Sequence, residues 1–142
     1  MQQLEKQHTV VGGAIPPTTV STSQTIQTTV FCTVQIEGTH RWEKCPFDDV
    51  AFLRHQHRHM FHIKAHKPVT HSDRDVEFIL LKRKIITYLT TRYSNLNENC
   101  LDFGKNSCEM IARELVLEFN LSQCEVNEDG ENGAIVTVVT TR

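Results

Sequence analysis

The chain has 142 residues, a formal net charge of -2, 39% hydrophobic residues and 23% charged ones. That size and composition suit one domain with its own core, and so even a charge balance supplies no positive field for nucleic acid or an anionic membrane surface. No apolar run approaches the roughly 18 residues of a membrane span, and the segment Met1–Lys6 lacks the basic start and apolar stretch of a signal peptide, which predicts a cytoplasmic protein.

Residues 1–24 contain Gly12-Gly13, Pro16-Pro17 and a spread of Thr, Ser and Gln, and read as a flexible extension ahead of a domain spanning 25–142. From about Thr25 the pattern becomes strand-like, with Val30, Cys32, Val34 and Ile36 alternating with Phe31, Thr33, Gln35 and Glu37 until Gly38 ends the run. Arg41 to Phe52 reads as a loop. A second strand runs from about His57 to Val69, with His57, His59, Phe61, Ile63 and Ala65 on one face and Met60, His62, Lys64 and His66 on the other.

Ser72-Asp73-Arg74-Asp75 offers N-cap chemistry for a helix whose stripe is Phe78, Leu81, Ile85 and Leu89, ending near Tyr93. A polar loop, Ser94 to Lys105, leads to a capping-box variant in which Asn106 is followed three residues later by Glu109. Ile111, Leu115, Val116 and Phe119 form the buried stripe of the second helix. The last quarter reads as a hairpin, with Cys124, Val126 and Glu128 on one strand face, a turn around Asp129-Gly130, and a β-branched strand from Ala134 to Thr141. The order β-β-α-α-β-β predicts an α+β fold with an antiparallel sheet and two helices on one face.

The cysteines (Cys32, Cys45, Cys100, Cys108, Cys124) are odd in number and include no C-x-x-C pair, so neither a disulfide scaffold nor a cysteine zinc ribbon fits. Histidine carries the functional signal instead. All but His8 lie between His40 and His71, and three alternate at His55, His57 and His59. An H-x-H pair on a strand sets two imidazoles on one face about 6.6–7 Å apart along the chain, so both can turn toward one metal. If the first two strands pair as a hairpin, His40 becomes the third ligand, leaving an open position as catalytic zinc sites require. The alternation leaves the register open, since His55 with His57 serves equally. A metal-buffering role, with further ions at His55, His62 and His66, and an exposed polar face are the competing readings.

The element order and the histidines together resemble the 6-pyruvoyl-tetrahydropterin and 6-carboxy-tetrahydropterin synthase family over roughly residues 30–140. Gly38-Thr39-His40 is similar to the family's first zinc-ligand site, and His57-Arg58-His59-Met60-Phe61 to its H-G-H-x-[YF] motif, with Arg for Gly. Glu77-Phe78-Ile79-Leu80-Leu81-Lys82 resembles the family's D-F-x-x-L-K, Asn106-Ser107-Cys108-Glu109 its P-T-x-E, and Cys124-Glu125-Val126-Asn127-Glu128 its V-x-V-x-E. The resemblance implies a T-fold that assembles into an oligomeric barrel, a tetramer or hexamer, with Zn2+ on His40, His57 and His59. It also implies a pterin-like substrate such as dihydroneopterin triphosphate, gripped by Glu128 and flanked by Ser107 and Glu109.

Two departures stand beside these matches. The family's nucleophilic Cys falls at Leu53, and its Asp-His pair falls within Thr91–Asn97, where neither residue occurs. Cys45 on the same loop and His71 (or His55 or His62) are the candidate replacements. The alternative function is a T-fold that binds a pterin, purine or nucleotide without the family's lyase chemistry.

Overall fold

In a computed structural model, which describes residues 12–14 and 23–141, the chain folds as an α+β protein. The extension proposed for 1–24 lies mostly outside the described residues. The elements are β1 (Thr28–His40), a 3-10 helix (Asp48–Arg54), β2 (His57–Val69), α1 (Phe78–Tyr93), β3 (Leu101–Asp102), α2 (Cys108–Phe119), β4 (Gln123–Glu128) and β5 (Asn132–Thr137). The sheet has the order β3-β1-β2-β4-β5. Its long pairings are antiparallel, but β3 runs parallel to β1, so the sheet is mixed rather than purely antiparallel. Among the described residues no helix is long and apolar enough to cross a membrane.

Period-two alternation builds the core. Cys32, Val34, Phe61, Ile63, Ala65, Cys124 and Val126 are buried on one sheet face, with Ala65 opposite both Cys32 and Cys124 and Ile63 opposite both Val34 and Val126. Leu81, Ile85 and Leu89 of α1 and Ile111, Ala112, Leu115 and Val116 of α2 pack into the same cluster, so both helices cover that face. Each large side chain removed from water there contributes roughly 1.5–3 kcal/mol.

Several details depart from the sequence reading. Gly38 does not end β1, which continues in register to His40. A Cβ on Gly38 would stand 2.6 Å from the Phe103 ring and 3.2 Å from that of Phe61, so glycine here makes room for an aromatic side chain. Phe103 comes from the segment Ser94–Lys105, expected to be a plain polar loop, which instead contributes β3 and two buried apolar residues, Leu101 and Phe103. The loop after β1 contains the 3-10 helix, and β5 stops at Thr137 rather than Thr141.

The caps also shift. Glu77, not the Ser72–Asp75 stretch, caps α1 by accepting from the backbone N–H groups of Ile79 and Leu80. Asp75 is already committed to the N–H and hydroxyl of Thr70. Phe78, expected in the stripe, is 52% exposed, because it opens the helix beyond the edge of the core. Ser107 rather than Asn106 caps α2, accepting from the Met110 N–H. The α2 C-cap is Asn120 in the left-handed region at φ 50, a conformation Asn tolerates well.

Gly38→Ala drives a methyl group into a ring that is fully buried and cannot retreat. It should lower stability by roughly 1–3 kcal/mol, read as a shift of the urea midpoint with an unchanged slope.

Candidate metal centre

The helix-covered sheet face does not end with the core. Continuing the same alternation past Phe61 and Ile36 brings His59 opposite Gly38 and His57 opposite His40, while Glu128 lies opposite Phe61 on β4. The polar residues on this face are thus gathered at one end of the sheet. The 13-residue register of the β1–β2 hairpin turns three separated positions into one cluster.

One ring nitrogen from each of His40, His57 and His59 lies within 4.8 Å of the others. Among the described residues this is the group of His, Cys, Asp and Glu side chains arranged to converge on one ion. His55 is exposed and stands outside this group. His62 and His66 belong to the opposite sheet face, where His66 packs against Phe31 with ring centroids 5.9 Å apart.

The hydrogen bonds define which nitrogen faces inward. His40 Nδ1 lies 2.9 Å from the carbonyl oxygen of Asn106, His57 Nδ1 2.8 Å from that of His55, and His59 Nδ1 2.6 Å from Asp129 Oδ2. A carbonyl can only accept, and so does an ionised carboxylate, so in each ring Nδ1 carries the proton and donates it. Asp129 is kept ionised because its hydrogen bonds to His59 and to the Met60 N–H hold its carboxyl below the usual range. The neutral tautomer therefore leaves a lone pair on every Nε2. All three Nε2 atoms are buried and none has a partner of hydrogen-bond geometry, although the Glu128 carboxylate faces those of His40 and His59.

An orphaned buried polar atom costs roughly 1–3 kcal/mol. Three of them converging, each with its other nitrogen tied off, could serve as the donor set of a metal site, with the Nδ1 acceptors as its outer layer. Two nitrogens bound tetrahedrally at about 2.0–2.1 Å stand roughly 3.3 Å apart, against the 4.8 Å within which the three ring nitrogens lie here.

Glu128 sits at the mouth of the cluster. Its Oε1 is 3.0 Å from His40 Nε2 and its Oε2 is 3.4 Å from His59 Nε2, although neither contact has hydrogen-bond geometry. The neighbouring imidazole of His40 holds the Glu128 carboxyl below its ordinary range despite partial burial. For His40, burial disfavours the charged form, but the Glu128 carboxylate and the Asn106 carbonyl together outweigh it and raise the pKa.

A cleft of about 500 Å³ opens over His40, His57 and Glu128. Trp42 and Leu53 form part of its wall, Arg41 and Lys105 bring positive charge, and Ser107 and Glu109 contribute from the start of α2. The structure thus brings the predicted residues Ser107, Glu109 and Glu128 to one cavity with two of the three histidines. Two other candidates are not brought there. Cys45 is buried in its own loop, its thiol directed at the Phe47 carbonyl 3.7 Å away, and does not line the cleft. His71 lies beyond the far end of β2, against Asp75 at 3.6 Å. Leu53 occupies the cleft wall with an aliphatic side chain.

Sequence reasoning missed the residues that hold the histidines. Asp129 reads as turn chemistry, and it is a turn residue, with φ 59. Yet its carboxylate also bridges back to His59 and to the Met60 backbone. The carbonyls of His55 and Asn106 have no signature in a sequence at all. A scan against protein-family models finds no match for the chain, and a search of curated proteins finds none either.

Cys108 lines the same cleft with its thiol held in the protonated form. Burial, then the nearby Glu128 carboxylate, pushes its thiol up to about 12. The thiolate form is favoured only above that pH, so Cys108 should stay unlabelled by iodoacetamide from pH 7 to 9 in the folded protein and react fully in guanidinium. Labelling of native Cys108 at pH 7, read by peptide mass spectrometry, would contradict this environment.

Proposed function

We propose that the chain is a metal-dependent binding protein built on a T-fold-like domain. Zinc is held by His40, His57 and His59, and a pterin- or purine-like heterocycle lies in the adjoining cleft. The observation that carries this reading is the convergence of three buried, unpartnered Nε2 atoms whose Nδ1 protons are each engaged elsewhere. Neutral imidazoles suit zinc, as they also suit copper, iron and nickel, and three of them with an open position match the ligand count of a catalytic-type zinc site. Three protein ligands leave a coordination position for the small molecule, and the bound ion supplies Lewis acidity toward an oxygen placed there.

The chain's own residues do the rest. Glu128, ionised at neutral pH, accepts two parallel N–H bonds from an amidine-like ring edge. Trp42 offers an aromatic wall, while Lys105 favours an anionic substituent on the ligand, Arg41 being paired with Glu43. The hairpin–helix–helix–hairpin order supports the T-fold part of the reading. β5 is the outermost strand of the sheet and is paired on one side only, and its free edge is the one through which copies of the chain would assemble into a tetramer or hexamer.

Synthase activity on dihydroneopterin triphosphate is the second reading, which the sequence resemblance favours. Against it stand the withdrawn thiol of Cys45, the distance of His71 and the aliphatic side chain of Leu53 in the cleft. Cys108, the thiol that lines the cleft, is held protonated by burial and the Glu128 carboxylate, and among the described residues the cleft lining offers no Asp-His pair, so proton transfer at the ligand side chain lacks the family's usual agents.

Purified protein should contain near one zinc per chain by metal mass spectrometry, and His57→Ala should lose it while remaining folded. Fluorescence titration should show saturable binding of a dihydropterin, weakened about tenfold or more in Glu128→Gln through loss of a charge-assisted pair. Dihydroneopterin triphosphate should be bound without release of triphosphate. Metal-dependent release would instead establish the synthase reading.

A further inference from the structure

The three histidines differ in what holds them. His57 leans on the carbonyl two residues away, and His59 on the turn that joins β4 to β5. His40 alone is tied to the helical layer, through a residue that is itself held at two further points. The Asn106 N–H donates to the Phe103 carbonyl at 3.0 Å, and its Nδ2 donates to the Tyr93 hydroxyl at 3.1 Å. The same residue's carbonyl then accepts from His40 Nδ1.

Tyr93, the last residue of α1, donates in turn to Glu114 Oε2 of α2. Glu114 Oε1 is paired with Arg92 at 2.5 Å and also accepts from the Tyr88 hydroxyl at 2.6 Å. Side-chain bonds therefore run without a gap from a charged pair on the helices to the orientation of one carbonyl, and from that carbonyl to one imidazole. A second, apolar path runs beside it. The rings of Tyr93 and Phe103 are 4.8 Å apart, those of Phe103 and Phe61 4.8 Å, and those of Phe61 and His40 5.2 Å.

We infer that Tyr93 and Glu114 are positioning residues for the metal centre, setting the angle and tautomer of His40 through Asn106. The inference rests on the metal reading given above. Neither residue touches the ion or the ligand. Without the Tyr93 hydroxyl, the Asn106 side chain loses its anchor, its carbonyl gains freedom to rotate, and His40 loses the fixed partner that holds its Nε2 toward the other two. Tyr88 supplies the internal control, because its hydroxyl rests on the same carboxylate but leads nowhere near Asn106.

The test compares cobalt(II) and zinc binding by the whole chain, using chelator competition for affinity and the cobalt visible spectrum for ligand geometry. Tyr93→Phe should weaken both metals about tenfold, as loss of an outer partner does, and shift the cobalt bands. Tyr88→Phe should stay within about twofold of the wild type with an unchanged spectrum. Asn106→Ala keeps the carbonyl and removes only its anchor, so it should reproduce the Tyr93→Phe loss, and the double variant should lose no more than either alone. It also reads the link if Tyr93→Phe folds poorly. Unchanged affinity and spectrum in Tyr93→Phe and Asn106→Ala, or equal weakening in Tyr88→Phe, would overturn the positioning role while leaving the metal centre intact. A wild-type chain that takes up no cobalt would remove the metal reading, and this inference with it.

Discussion

The site depends on where three protons are. Each of the three imidazoles can present one lone pair inward only if its other nitrogen has an acceptor that cannot give a proton back. The fold supplies one to each: two backbone carbonyls and the Asp129 carboxylate. These acceptors come from three different parts of the chain, so no single loop movement releases them together. Buried nitrogens without a hydrogen-bond partner are costly to stability. The backbone nevertheless holds the three together, in an arrangement that could hold a metal ion.

Register delivers the cluster. In an antiparallel pair a slip of one residue moves every side chain to the other face, so the core and the site are specified by the same pairing. Cys32, Val34, Phe61, Ile63 and Ala65 bury the helix-facing side and thereby determine where His40, His57 and His59 stand. Gly38 completes this, because the space beside it admits the ring of Phe103 against that of Phe61. The core is, in this sense, the rigid support of the histidine cluster.

Much of this was legible in the sequence, and the reasons are physical. Alternation over ten or more residues is hard to mistake, so both long strands and the shared face of His57 and His59 could be read directly. His40 followed from the hairpin. What stayed hidden has no periodic signal. β3 has two residues and no length from which to show a pattern. Gly38 looks like a terminator because its role, room for a ring 65 positions later, is set by tertiary packing (Phe103 against Gly38). Ser72–Asp75 has the right chemistry for a cap, but Asp75 was already engaged by Thr70, leaving the task to Glu77. Cys45 and His71 were candidates by residue type alone, and residue type does not say which way a loop thiol faces or how far a strand carries a histidine from its neighbours.

The tautomer claim is open to direct measurement. A long-range proton–nitrogen NMR spectrum of the metal-free protein, with labelled histidine and recorded above the ring pKa values, separates protonated from lone-pair ring nitrogens. The account predicts that His40, His57 and His59 all carry the proton on Nδ1, with three Nε2 signals in the lone-pair range that move together when zinc is added. Protonated Nε2 atoms in these residues, or signals indifferent to zinc, would contradict it.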